Sequence, residues 1–241
     1  CNYPSNDKTK GWLTTHFEYH SIEKNLLKFD ILGHDEPTIL KHLGDLTKID
    51  PRTIPNHDEK VLQLFANSKG LNIVDKNYDL DKIATIALPE FGTNLTRGIV
   101  SKTKPTCVGD LIRISGLSHG TGVWRDNAED LVDNGAQLNQ VAAFRENIFQ
   151  FLVDCGVGYD QAFKAAEFIR KNKHGLPMPE NFVNDMKQNN VPEWYIDSCK
   201  KIRYLFPKAH ATAYVLDAIR TAWYKVYHPT EFYAVWFTER S

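Results

Sequence analysis

LFPKAHATAYVLDAIRTAWYKV, residues 205–226, passes a proline early and then runs on without another helix breaker. It predicts a long helix from about His210 to Val226. Downstream, PTEFYAVWFTERS (229–241) starts another at a proline in the favoured first-turn position. Upstream, further helices are expected over PEWYIDSCKKIRYLF (192–206), PENFVNDMKQN (179–189), YDQAFKAAEFIRKNK (159–173), LNQVAAFRENIFQFLVDCG (138–156), VGDLIRISGL (108–117) and NLTRGIVSKTK (94–104), the last with Thr93 near its start. Asp58 is placed to cap a helix through Val61, Leu62, Leu64 and Phe65. Ile39, Leu40, Leu43 and Leu46 lie at helical spacing after Glu36-Pro37-Thr38, and Pro51 closes that run. Between Lys69 and Ala87 the chain is polar and poorly periodic, which reads as a loop.

One stretch breaks the helical pattern. In NLLKFDIL (25–32), Leu27, Phe29 and Ile31 alternate with Lys28, Asp30 and Leu32, the two-residue period of a strand. Gly33, His34, Asp35 and Pro37 close it as a loop. The fold class is therefore mainly α: a large helical part with a short strand-bearing segment at its N-terminal end.

The composition is that of an ordinary globular protein, 42% hydrophobic and 24% charged over 241 residues. No apolar run approaches the roughly 20 residues that cross a bilayer, so no membrane role and a cytoplasmic location are expected. The first residues, CNYPSNDKTKGW, carry neither a signal-peptide core nor an initiator methionine, which suggests a piece of a longer chain. Cys1, Cys107, Cys155 and Cys199 lie far apart, without zinc spacing, and read as reduced thiols, mostly buried. Net charge is −1, yet Lys164 to Lys225 holds eleven Lys or Arg against six Asp or Glu. Such a stretch suits either phosphates or solvated helix faces.

Three constellations have the chemistry of a site. On a strand, Lys28 and Asp30 project to one side, where a carboxylate holds a hard cation and an ammonium meets phosphate; an exposed ion pair is the plainer reading. In GLSHGTGVW (116–124), glycines flank Ser118, His119 and Thr121; they allow close approach to a ligand, or simply a helix–helix turn. In LFPKAHATAY (205–214), Lys208, His210 and Tyr214 stand at a helix start, with His210 and Tyr214 four apart and hence on one face. His16 and His20 have ligand-like spacing without a third partner, and the aromatic run Trp223, Tyr224, Tyr227, Phe232, Tyr233, Trp236 and Phe237 reads as core.

TTHFEYHSIEKNLLKFDILGHDEPT, LPEFGTNLTR, ISGLSHGTGVW, VPEWYIDSCKKIRYLFPKAHATAYVL and YKVYHPTEFYAVWFT resemble, in this order, segments of the PolC-type (Gram-positive) DNA polymerase III alpha subunits of the C family. The resemblance runs from about Thr14 to Arg240. It implies the end of a polymerase palm (1–36) followed by most of a helical fingers domain (37–241). It further implies two-metal nucleotidyl transfer with Mg²⁺, with dNTP and primer–template DNA as partners. The sliding clamp and other replisome subunits would be met through parts of the parent chain outside this piece. Asp30 corresponds to the third catalytic aspartate and metal ligand, and Lys28 to a residue near the triphosphate. Arg97, Ser118, His119, Arg145, Lys208, His210 and Tyr214 correspond to the nucleotide-binding residues of the fingers. The family's upstream Asp-x-Asp pair has no counterpart here. Asp79-Leu80-Asp81 has the spacing but follows Asp30. Asn94 stands where a lysine is expected. One aspartate of three does not hold two metals, so this chain alone is expected not to polymerise. The competing readings are a non-catalytic helical DNA-binding module built on GLSHGTG and a structural helical domain that docks other proteins.

Overall fold

The computed structural model describes residues 3–4, 9, 11–14, 17–27, 33–71, 73, 77, 79–172 and 174–240. It divides into two compact units, Cys1–His34 and Asp35–Ser241.

In the first unit, β1 (Tyr3–Pro4) and β2 (Leu13–Thr14) pair antiparallel, and α1 (Tyr19–Ile22) forms one turn capped by the Glu18 carboxylate. The strand expected at NLLKFDIL rests on residues 28–32, which lie outside the described residues, as does His16.

The second unit is helical. α2 (Glu36–Thr47) has Pro37 in its first turn and ends at Lys48, whose φ of 59° stops the helix before Pro51. α3 (Glu59–Gln63) is capped as expected, the Val61 N–H donating to Asp58 Oδ1 at 3.0 Å. α4 (Asn94–Thr103) is capped by Thr93, whose Oγ1 accepts from the Thr96 N–H at 3.2 Å. α5 (Val108–His119) follows, then an irregular turn through Trp124–Ala128 and the short α6 (Glu129–Asp133), which the sequence pattern does not announce. α7 (Arg145–Asp154), α8 (Tyr159–Arg170), α9 (Glu180–Gln188), α10 (Glu193–Lys201), α11 (Lys208–Tyr227) and α12 (Pro229–Glu239) complete it.

Two helices are shorter than their sequences predict. The helix expected from Leu138 begins only at Arg145, because the Phe144 N–H donates to the Asn147 side chain and Phe144 stays extended. Val141–Phe144 are buried there without being helical. The helix expected to reach Phe206 stops at Lys201. Tyr204 instead pairs with Thr121 in a single antiparallel bridge, and Pro207 disfavours helix in the residue before it.

α11 is the central element. Ala211, Val215, Ala218, Ile219, Ala222 and Tyr224 are buried along it, against α5, α2, α3 and α12. Tyr224 is a core residue whose hydroxyl donates to the Ile49 carbonyl at 2.7 Å. The aromatic run expected to be core is only partly so, with Trp223 and Trp236 half-buried. Tyr224 and Phe232 are buried, whereas Tyr227, Tyr233 and Phe237 are exposed. The thiols divide too: Cys199 is buried and its pKa pushed up to about 12 by desolvation, but Cys107 is exposed, against expectation. Among the described residues, no helix is long and apolar enough to cross a membrane.

Candidate functional site

The bridge between Thr121 and Tyr204 brings the GLSHGTG turn onto the segment leading into α11. The Thr121 N–H donates to the Tyr204 carbonyl at 3.0 Å, and the Arg203 N–H returns to the Thr121 carbonyl at 2.9 Å. Phe206, two residues beyond, is thereby laid against His119 at the end of α5, with ring centroids 4.8 Å apart and planes 24° apart. His210 meets the same phenyl ring edge-on at 6.1 Å, and Tyr214 follows His210 at 5.9 Å. Four of the expected residues, Ser118, His119, His210 and Tyr214, thus line one ribbon from α5 to α11. Lys208, exposed, is the first residue of α11.

Phe206 is the residue that sequence reasoning missed. It precedes Pro207 in a stretch predicted helical, yet it lies outside any helix, with its ring on His119. Glu90 was missed as well. Its Oε2 accepts from the Ser115 hydroxyl at 3.2 Å and lies 3.3 Å from His119 Nε2.

The first turn of α11 contains Lys208 and His210 and no acidic residue. A helix N-terminus carries a partial positive charge, so cations there are unfavourable until an anion joins them. An exposed cation, an imidazole and unpaired helix amides beside a stacked aromatic pair suit a phosphate with an attached base.

The GLSHGTG backbone does not provide that cradle. The Gly120 N–H donates to the Gly116 carbonyl, and the Thr121 amide is spent on Tyr204. Gly116 instead makes room for Phe144, since a Cβ there would lie 2.5 Å from its ring. The turn reading of these glycines prevails over the reading in which they approach a ligand.

The remaining expected residues sit in other settings. Arg97, on α4, lines a cleft of about 570 Å³ with Phe65, Asp79, Asp81, Lys82 and Lys104, and its Nε is buried without a hydrogen-bond partner among the described residues. Arg145 opens α7 and is committed to neighbours: Nη1 donates to Glu167 Oε1 at 2.7 Å, and Nη2 to Glu146 at 3.1 Å. Arg170 and Arg145 together hold the Glu167 carboxyl down at about 2. Asp30 and Lys28 lie outside the described residues. Among the described residues no group of three His, Cys, Asp or Glu side chains is placed to hold a metal.

The basic stretch is largely neutralised by acids on its own or the neighbouring helix. Lys164 pairs with Asp160, Arg170 and Lys171 with Glu167, Lys187 with Glu193, Lys200 with Asp197, and Arg220 with Asp217. Lys201, Arg203 and Lys208 make no ion pair with a carboxylate among the described residues; they cluster in sequence around the Thr121–Tyr204 bridge and the start of α11.

Among the described residues, Lys225 is the one lysine of the second unit's core, 2% exposed. Its ammonium donates to the carbonyls of Ala84 at 2.7 Å and Ile86 at 2.5 Å. Those bonds favour the charged form, but desolvation, helped by Arg97, outweighs them and brings the group from 10.5 down to about 8. Below about pH 8 the lysine is charged in the folded and unfolded chain alike, and the cost of burying the charge is borne in full. From about 8 to 10.5 the unfolded chain holds a proton that the folded chain has released, so stability rises with pH. The shift corresponds to a gain of about 3 kcal/mol over that window. Urea titrations of this chain and of Lys225→Met at stepped pH should show the difference between them moving by that order in favour of the wild type. Parallel pH profiles would mean that Lys225 does not titrate in this window.

A model of the bacterial DNA polymerase III alpha subunit finger domain matches residues 36–190. A DNA polymerase III PolC-type from Staphylococcus epidermidis is 47% identical over 240 residues, 99% of this chain and 16% of its own length. Proteins of the same name from Staphylococcus haemolyticus and Staphylococcus aureus are 48% identical over the same span. The chain therefore spans about 16% of the length of the curated relatives it matches.

Proposed function

Because the chain belongs to the finger-domain family of bacterial DNA polymerase III alpha subunits, we propose that it is the nucleotide-binding portion of a replicative DNA-directed DNA polymerase. In this reading residues 1–36 close the palm and 37–241 form the fingers. The observation that carries it is the first turn of α11. Lys208 and His210 stand there without an acid, beside the His119–Phe206 stack.

The fingers would receive the incoming dNTP with its phosphates toward Lys208 and the α11 amides, and its planar groups toward the ribbon of His119, Phe206, His210 and Tyr214. Ser118, whose hydroxyl donates to the Ser115 carbonyl, would border the same face. Arg97 would add charge from α4. Arg145 would serve through the α7–α8 pair that it fastens. Charge developing on the triphosphate in the transition state would be met by preorganised cations rather than by water.

Mg²⁺, when bound in the parent enzyme, would supply the positive charge that makes the primer hydroxyl a better nucleophile and offsets the charge of the triphosphate. The described residues do not form a metal centre. The contribution proposed for this chain is Asp30 alone, with Lys28 beside the triphosphate and the other carboxylates in the rest of the parent. Clamp and replisome contacts, and a cytoplasmic place of work, would likewise be properties of the parent chain.

The test is primer–template binding by the full-length parent, followed by fluorescence anisotropy with and without the templated dNTP. We expect the nucleotide to tighten DNA binding, and Lys208→Ala to weaken that gain about tenfold, the order of one lost charge-assisted phosphate contact. The slope of log affinity against log salt should be negative, because phosphate contacts release counterions. Binding that ignores dNTP would favour a helical DNA-binding module instead.

A further inference from the structure

Glu90 occupies a backbone position that glutamate seldom adopts, with φ of 65° in the left-handed region, three residues after Ala87 at 66°. Strain of this kind persists only where surrounding contacts hold it. The Lys225 ammonium fastens the start of this loop through the Ala84 and Ile86 carbonyls. Two left-handed residues later, the loop delivers a carboxylate whose side chain is 17% exposed to Ser115 and His119.

The ring of His119 is then held from three sides. Nε2 faces Glu90 Oε2 at 3.3 Å, and Nδ1 lies 2.9 Å from the Ser115 carbonyl oxygen. The Ser118 hydroxyl also lies 3.1 Å from Nδ1. A carboxylate only accepts, so Glu90 holds the ring through a proton on Nε2. The ring face rests on Phe206.

We propose that Glu90 is a positioning residue: through Nε2 it locks the His119 imidazole against Phe206 in the orientation that receives the nucleotide. The proposal rests on the reading of His119 as part of the nucleotide site. Glu90 acts through the imidazole and touches no reacting atom. Ser115 is a shared support: its hydroxyl donates to the carboxylate, and its carbonyl lies against Nδ1 of the ring.

A double-mutant cycle in the full-length parent tests it, read as KM for dNTP against kcat. Glu90→Ala and His119→Ala should each raise KM by about tenfold with kcat within about twofold, and the double variant should be no worse than either single one. Glu90→Gln, which keeps the shape and one acceptor oxygen, should recover most of the loss. Penalties that multiply in the double variant, or a Glu90→Ala variant with unchanged KM, would overturn the proposal.

A second readout does not depend on polymerisation. In this 241-residue chain, the ring-nitrogen chemical shifts of His119 should show a proton on Nε2 and should move in Glu90→Gln; unchanged shifts would overturn the proposal. If His119→Ala leaves KM unaltered, the nucleotide reading of His119 fails, and these shifts still decide whether Glu90 holds the ring.

Discussion

Asp30→Ala in the full-length parent is expected to reduce templated incorporation by about 10³-fold or more, while leaving primer–template affinity within about threefold. A loss of that size is about 4 kcal/mol in the barrier, the order expected when a carboxylate that holds catalytic charge is removed. Binding should survive, because the affinity of a polymerase for duplex comes mainly from cations on phosphate. Rapid-quench measurement of the first turnover separates the chemical step from product release. A chemical rate within a few-fold of wild type would remove Asp30 from the metal site, and ancestry would then be all that the Lys28-Phe29-Asp30 pattern records. A loss of DNA binding in proportion to rate would instead mean that the substitution damages the fold.

The assignment of Asp30 illustrates how unevenly the sequence could be read. A two-residue period shows a strand and two side chains on one side of it, but says nothing of partner carboxylates elsewhere in a longer chain. Helices were legible where local chemistry decides them. Asp58 and Thr93 cap α3 and α4 as their positions suggest, and α11 matches its pattern within two residues at its start and one at its end. They were illegible where a distant segment decides. Residues 202–206 have a helical composition, but Tyr204 pairs with Thr121, more than eighty residues earlier, and the segment is not helical. That one long-range bridge creates the His119–Phe206 stack, so the most informative contact of the candidate site has no local signal. Glu90 is similar, since its role depends on a left-handed backbone fastened by Lys225 from α11. His210 and Tyr214 were readable because four-residue spacing on a helix is itself the geometry.

The glycines of GLSHGTG were seen in the sequence but given two meanings, and Gly122 separates them most sharply. Its φ is 68°, and a Cβ there would lie 2.3 Å from the Lys201 carbonyl oxygen, which belongs to the backbone and cannot swing aside. Gly122→Ala is therefore expected to destabilise this chain by about 4 kcal/mol, from left-handed strain of about 1–2 kcal/mol plus overpacking of about 1–3 kcal/mol. For a chain of this length that is a fall in Tm of about 10 °C, measurable by calorimetry. Gly135→Ala is the control: its φ is 96°, yet nothing lies within 4 Å of the added Cβ. It should show the strain alone, about 1 kcal/mol. Equal losses at the two glycines would mean that the contact with Lys201 relaxes freely. A Gly122→Ala chain of normal stability that had lost its response to dNTP would restore the reading in which this glycine makes room for a ligand. A large loss at Gly122 alone would show that the turn is spent on joining α5 to the segment before α11, which leaves the nucleotide to the side chains that this junction brings together.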